Sequence, residues 1–247
     1  MKTLSAACMC VLLFGAASFA EVTDVSVTAA DGFALKGTFH SAVKGGPGIL
    51  LLHQCNADRQ LYNQLATMLN TAGYNVLAID FRGFGGSKAG EYTAFAAQRQ
   101  KIMELMPGDV DAALTFLTSQ STVNPRVLGV VGGSCGVNQA VQAARRHPGI
   151  RTLVLLSGGT DAAGEAYVRN SPIPIFGVAS EEDTDAAAAI RKIVGLSMNA
   201  ESRVEMFKGA GHAAFMFAKQ PDLEPDIVIW FRSNLTIGGY GLPPALK

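Results

Sequence analysis

The chain has no surplus of either charge: 20 Lys and Arg balance 20 Asp and Glu across 247 residues. Without a basic excess there is no field to hold nucleic acid or an anionic membrane, and no acidic run marks a solvating tail. Charged residues are scarce at 16%, against 49% hydrophobic, which excludes intrinsic disorder and predicts a sizeable buried core. Several chemical patterns are missing as well. There is no clustered His/Cys/Asp spacing for zinc, no G-x-x-x-x-G-K-[ST] phosphate loop and no C-x-x-C redox pair. No metal or organic cofactor is therefore expected. No internal repeat and no long Pro- or Ser-rich linker divides the chain, so one domain is read over 21–237.

The first twenty residues form a separate unit. Lys2 gives a short positive start, Ala6 to Phe14 an apolar run, and Ser18-Phe19-Ala20 small residues at the two positions a signal peptidase reads. That apolar run is shorter than the ~20 residues a bilayer span requires. The pattern predicts a cleaved signal peptide over 1–20, a mature chain from Glu21, no stable membrane span, and a periplasmic or extracellular location. Cys8 and Cys10 have no convincing lipobox before them and would leave with the signal. Only Cys55 and Cys135 would remain, a single pairing in a compartment that permits disulfides.

Near-continuous apolar runs at Ile49 to Leu52, Val76 to Ile79, Val127 to Val131, Leu153 to Leu156, Ile173 to Val178 and Val204 to Phe207 read as parallel strands covered on both faces. Helical stripes lie between them: Leu61, Leu65 and Leu69, then Val110, Ala113, Leu114 and Leu117. Val22 to Thr28 and Ala34 to Ser41 read as an opening hairpin turning at Asp31-Gly32. The expected fold class is α/β: a mostly parallel, doubly wound sheet behind an N-terminal antiparallel hairpin, with no large cap. Lys88 to Pro107 is poorly patterned and reads as a short excursion over the sheet, and 238–247 as a loose tail.

In such sheets chemistry collects at the carboxyl ends of the strands. After Val127 to Val131 comes Gly132-Gly133-Ser134-Cys135-Gly136, followed by a helix from Val137 to about Arg146. This is G-x-S-x-G between a buried strand and a helix, where a sharp turn pushes the serine out over the sheet. The two outer glycines are needed because a Cβ there would strike the neighbouring strand or helix. A serine needs a base, and the base an orienting acid. Glu181-Glu182-Asp183 follows one strand and Gly209-Ala210-Gly211-His212 another, so Ser134, Asp183 and His212 stand in nucleophile–acid–histidine order. Glu181, Glu182 and Asp185 compete with Asp183 for the acid. His40 and His147 read as structural, and His53 as ordering the loop at its strand end. Taking Cys135 as nucleophile would shift the frame to Gly133-Ser134-Cys135-Gly136-Val137, with a valine crowding the turn.

These residues resemble the α/β-hydrolase superfamily over nearly all of the mature chain, closest to small, minimally capped esterases and dienelactone-hydrolase-like proteins. Besides the elbow, Asp80-Phe81-Arg82-Gly83-Phe84-Gly85-Gly86-Ser87 is similar to the family's D-x-R-G-x-G-x-S segment, and Leu51-Leu52-His53-Gln54-Cys55 to its apolar run ending in His-Gly. Ser180-Glu181-Glu182-Asp183 resembles the acid turn, and Gly209-Ala210-Gly211-His212 the histidine turn. Two positions depart. Gln54 replaces the usual glycine, which implies a different path for the oxyanion loop, and Ala213 replaces a glycine that often follows the histidine.

The resemblance implies an oxyanion hole built from two backbone N–H groups, that of Cys135 and that of Cys55, with Gln54 as the alternative to Cys55. Both remaining cysteines would flank it, either as buried packing groups or as a disulfide pinning the hole. The expected function is a secreted serine hydrolase of small-molecule carboxylic esters with small or flexible acyl groups. A peptidase or acyltransferase on the same triad, or a non-catalytic binding protein, are the alternatives.

Overall fold

The computed structural model describes residues 21–42 and 46–235. The expected signal peptide over 1–20 and tail over 238–247 lie outside the described residues.

Eight strands form one sheet: β1 (Glu21–Thr28), β2 (Ala34–Ser41), β3 (Gly46–Leu52), β4 (Asn75–Ile79), β5 (Val123–Gly133), β6 (Ile150–Leu156), β7 (Ile175–Ser180) and β8 (Arg203–Phe207). Their order is β1-β2-β4-β3-β5-β6-β7-β8. β1 and β2 pair antiparallel, β2 joins β4 antiparallel, and all other pairings are parallel. The expected hairpin and parallel sheet are both present. Six α-helices connect the strands: α1 (Asn63–Thr71), α2 (Arg99–Ser119), α3 (Cys135–Arg146), α4 (Ala162–Asn170), α5 (Thr184–Leu196) and α6 (Leu223–Asn234).

The central strands β3 to β7 are covered on both sides, which explains their near-continuous apolar runs. The edge strands differ. β1 is half polar and mostly exposed. The run Val204 to Phe207, expected to be covered on both faces, forms the edge strand β8 with Val204 exposed, because no further strand pairs beyond it among the described residues. Alternate residues of one strand serve two cores: Leu50 and Leu52 pack with α2, α3 and α5, while Ile49 and Leu51 pack with α1 and α6. The chain order reverses where β5 lies beside β3, so the ends of those two strands meet at the crevice where such sheets place their sites.

One expectation needs correcting. Lys88 to Pro107 is only partly an excursion, because α2 begins at Arg99 and runs through Pro107. An interior proline costs about 3 kcal/mol. Ile102, Met106, Val110, Ala113, Leu114 and Leu117 form one buried stripe along this helix, and each large side chain contributes about 1.5–3 kcal/mol on burial. The stripe outweighs the proline. What remains of the excursion is a β-bridge between Ala89 and Tyr92 and a single turn of 3-10 helix over Phe95–Ala97, so no large cap covers the sheet among the described residues.

Arg82 anchors this side. Its guanidinium is 1% exposed and donates to Asp109 of α2 (Nε to Oδ2, 2.8 Å; Nη2 to Oδ1, 2.5 Å) and to Asp31 in the hairpin turn (Nη1 to Oδ2, 2.7 Å). Phe33 and Tyr92 lie against it, with ring centroids 4.6 and 5.1 Å from the guanidinium carbon. The D-x-R-G-x-G-x-S segment therefore ties the hairpin to α2. Asp80, fully buried, accepts from the backbone N–H of Arg59 and of Gly86, each at 2.8 Å, and closes the same segment on itself.

Candidate active site

Ser134 joins β5 to α3 with φ 51° and ψ −114°, a left-handed conformation that costs a non-glycine residue of order 1–3 kcal/mol. Packing on both sides enforces it. A Cβ at Gly132 would stand 2.3 Å from the carbonyl oxygen of Gly136, and one at Gly136 would stand 2.5 Å from that of Leu52. The outer glycines are thus required by the start of α3 and by the end of β3, as the motif reading expects. Ser134 N–H donates to Leu156 O at 2.8 Å, fixing the turn to β6.

Asp183 follows β7 and His212 follows β8. Their side chains meet, with His212 Nδ1 2.5 Å from Asp183 Oδ2. Of the competing acids, Glu182 is spent elsewhere. Glu182 accepts from Ser180 Oγ and from the Gly209 N–H, both at 2.7 Å, and these bonds hold its carboxyl below the ordinary range. Ser180 Oγ also accepts from Ala210 N–H at 3.0 Å, so the acid turn and the histidine turn are laced together. Asp185 lies in the first turn of α5. No hydrogen bond joins Ser134 Oγ to the imidazole among the described residues. The elbow and the histidine loop meet through their neighbours instead: a Cβ at Gly133 would be 3.4 Å from Ala213 Cβ.

Ala213 has φ 50°, so the position where glycine is usual keeps the glycine-like conformation and bears the strain. Gln54 fills the second departure. It is fully buried, its Oε1 accepts from Ala214 N–H at 2.9 Å, and its Nε2 donates to Asn56 Oδ1 at 2.8 Å. The side chain that replaces glycine thereby connects the β3 loop to the histidine loop.

Cys55 and Cys135 form a disulfide, with Cα atoms 5.8 Å apart across a sequence separation of 80. Of the two readings left open by the sequence, the covalent one holds. Cys135 is the first residue of α3, so its N–H lies outside the helix's own hydrogen bonds. His53 orders the neighbouring loop. Its Nε2 accepts from Phe81 N–H at 3.0 Å, which leaves Nδ1 as the protonated nitrogen, donating to Gln54 O at 2.7 Å. Burial holds the His53 pKa below its ordinary value. His147 Nε2 bonds Asp111 at 2.7 Å, and His40 is buried in β2.

A family model described as Serine aminopeptidase, S33 matches residues 47–212. The chain belongs to the α/β-hydrolase superfamily. An uncharacterized Mycobacterium tuberculosis protein is 30% identical over 154 residues, covering 62% of this chain and 51% of that protein. A thiohydrolase of Aspergillus aculeatus is 26% identical over 134 residues, covering 53% of this chain and 40% of that one. The chain thus spans about half the length or less of these relatives. Among solved structures, a dienelactone hydrolase from Anabaena variabilis superposes with TM-score 0.72 at 18% identity, over 88% of this chain and 99% of that one. An esterase of Pyrococcus furiosus gives TM-score 0.66 at 17% identity, over 88% and 92%. At these identities the likeness is one of fold.

Two features of this hydrolase escaped the sequence. The Gln54–Ala214 bond spans 160 residues, and only the missing glycine pointed to it. Ser157, just past the end of β6 between the elbow and the acid turn, has φ 51° and a buried hydroxyl without a hydrogen-bond partner among the described residues. Nothing in its local pattern marked it.

Proposed function

We propose that this α/β-hydrolase is a serine esterase that cleaves carboxylic esters of small or flexible acyl groups, with Ser134, His212 and Asp183 as its triad. The observation that carries the reading is the strained serine at φ 51° in a strand–turn–helix, beside a hydrogen-bonded histidine–carboxylate pair whose loop meets the elbow where Ala213 Cβ lies 3.4 Å from a Cβ added at Gly133. Ser134 Oγ attacks the acyl carbon while His212 Nε2 takes its proton. Asp183 holds the imidazole through Nδ1 and stabilises its charged form. The N–H groups of Cys135 and of Cys55 or Gln54 receive the oxyanion, His212 returns the proton to the leaving alcohol, and water resolves the acyl-enzyme. The short segment over 88–98 in place of a large cap supports an open pocket for small acyl groups. Export to an oxidising compartment fits both the N-terminal pattern and the disulfide.

Thioesters form a second substrate class, favoured by the thiohydrolase among the relatives. The same triad serves both, since only the leaving group changes.

Fluorophosphonate labelling of the purified mature protein, with turnover of p-nitrophenyl acetate and butyrate, tests the reading. Both signals are expected in the wild type and neither in Ser134→Ala. Turnover that survives in Ser134→Ala but disappears in Cys135→Ala would move the nucleophile to the cysteine frame. A folded wild type that takes no label and turns over no ester would instead be a binding protein.

A further inference from the structure

The disulfide has an unusual position. One of its cysteines, Cys135, carries a backbone N–H that the esterase reading assigns to the oxyanion hole, and the other, Cys55, belongs to the Gln54–Cys55 pair from which that reading draws the second donor. The tie therefore runs between the two halves of a hydrogen-bonding device, one half on the β3 loop and the other at the start of α3.

The halves are held unequally without it. Cys135 sits on the first turn of a 12-residue helix, in contact with the end of β3 through Gly136. Cys55 sits on a loop. The Gln54–Cys55 peptide is fixed at its carbonyl by His53 Nδ1 at 2.7 Å, and it is trans, as is every peptide bond among the described residues, so the Cys55 N–H points away from His53. The Gln54 side chain adds a hydrogen bond to Ala214, beside His212. This dipeptide thus touches two parts of the site: Cys55 reaches the nucleophile elbow by a covalent bond, and Gln54 reaches the histidine loop by a hydrogen bond. The covalent tie fixes the distance between the two donors, which the hydrogen bonds alone do not.

We propose that the Cys55–Cys135 disulfide is a positioning element of the oxyanion hole, so that the hydrolase is fully active with the bond closed and loses rate when it is opened. The inference rests on the esterase reading and names a regulation of that site. Opening requires a thiol reductant. Two thiols of a dithiol give up two electrons and two protons and become its own disulfide. The Cys55–Cys135 bond breaks, and each sulfur takes up one hydrogen. Both cysteines are partly exposed, which leaves the bond within reach of a small dithiol.

The experiment compares oxidised wild type, wild type reduced with dithiothreitol and capped with iodoacetamide, and Cys55→Ala/Cys135→Ala, all at 25 °C. Both alanines keep the backbone N–H donors. The readouts are kcat and KM for p-nitrophenyl acetate, the fluorophosphonate labelling rate, and emission of the sole tryptophan, Trp230, as a check that the core is folded. Loss of one oxyanion donor costs about 100- to 1,000-fold in kcat, and a loosened donor costs less. The expected result is a kcat fall on the order of 10- to 100-fold with KM changed less than threefold, and a double variant insensitive to dithiothreitol. If the double variant does not fold, the reduced wild type gives the same comparison. A lowered melting temperature with kcat unchanged in a folded reduced protein would make the bond merely structural and overturn the proposal. Oxidised wild type without label or turnover would overturn the esterase reading itself, and this inference with it.

Discussion

Gly136→Ala tests how closely the nucleophile elbow is set against the oxyanion strand. The added Cβ would stand 2.5 Å from Leu52 O and 3.1 Å from His53 O. Both are backbone atoms and neither can rotate aside. To restore even a 3.0 Å contact, the start of α3 and the end of β3 must separate by about 0.5 Å at this point. Overpacking of this kind costs about 1–3 kcal/mol, and at ~2–4 °C per kcal/mol for a chain of this size the melting temperature should fall by ~2–12 °C. The same separation moves Ser134 and Cys135 away from the β3 loop. Since a 1 Å misplacement costs ~100-fold, kcat should drop by about 10-fold or more. Gly195→Ala is the control. It lies in α5 with nothing within 4 Å of the added carbon, and alanine there should stabilise by roughly 0.5–1 kcal/mol with kcat unchanged. Thermal unfolding followed by Trp230 emission and p-nitrophenyl acetate turnover read both quantities. Wild-type melting and rate in Gly136→Ala would refute the close approach. Lost stability with full rate would refute the link between this packing and the chemistry.

Two further outcomes follow from buried charge. Asp109→Ala should destabilise by about 3–5 kcal/mol in urea unfolding, because it strands a buried guanidinium, whereas Asp31→Ala, with a 43% exposed side chain, should cost ~1 kcal/mol or less. Equal losses would show that the pair is not the anchor. Stability should also fall as pH drops below the ordinary imidazole value of 6.5, since burial lowers the pKa of His40 and His53 and the folded chain prefers both neutral while the unfolded chain takes up protons. For Asp31, which Arg82 holds down to about 2, the stabilisation is complete above 3.8 and is lost only as pH falls from there towards 2. A melting temperature that stays flat from pH 7.5 to 5 would contradict the histidine assignment.

The sheet was readable because its central strands are buried on both faces and so appear as unbroken apolar runs between helical stripes, whereas the run Val204 to Phe207 reads the same way but forms the exposed edge strand β8. The elbow was readable because its glycines answer to fixed backbone neighbours, the Gly136 and Leu52 carbonyls, and no other residue type fits. What stayed hidden depended on contacts distant in sequence. Pro107 reads locally as a boundary, but the burial of Ile102, Met106 and Val110 carries the helix through it. The Gln54–Ala214 bond and the unpartnered Ser157 hydroxyl belong to no local pattern at all. The cysteines fell between these cases: their places beside the elbow were legible, but their pairing required the 5.8 Å that only the folded chain provides.

The disulfide also alters how the molecule responds to force. It closes a loop with a sequence separation of 80 that contains α1, β4, α2 and β5. Tension applied at the two ends bypasses that loop while the bond is intact. At about 3.3–3.6 Å per residue, roughly 270 Å of chain is withheld from extension until a reductant opens it. A pulled oxidised molecule therefore gives way in the hairpin and in the half of the sheet beyond α3, and the segment between the two cysteines is shielded from the load.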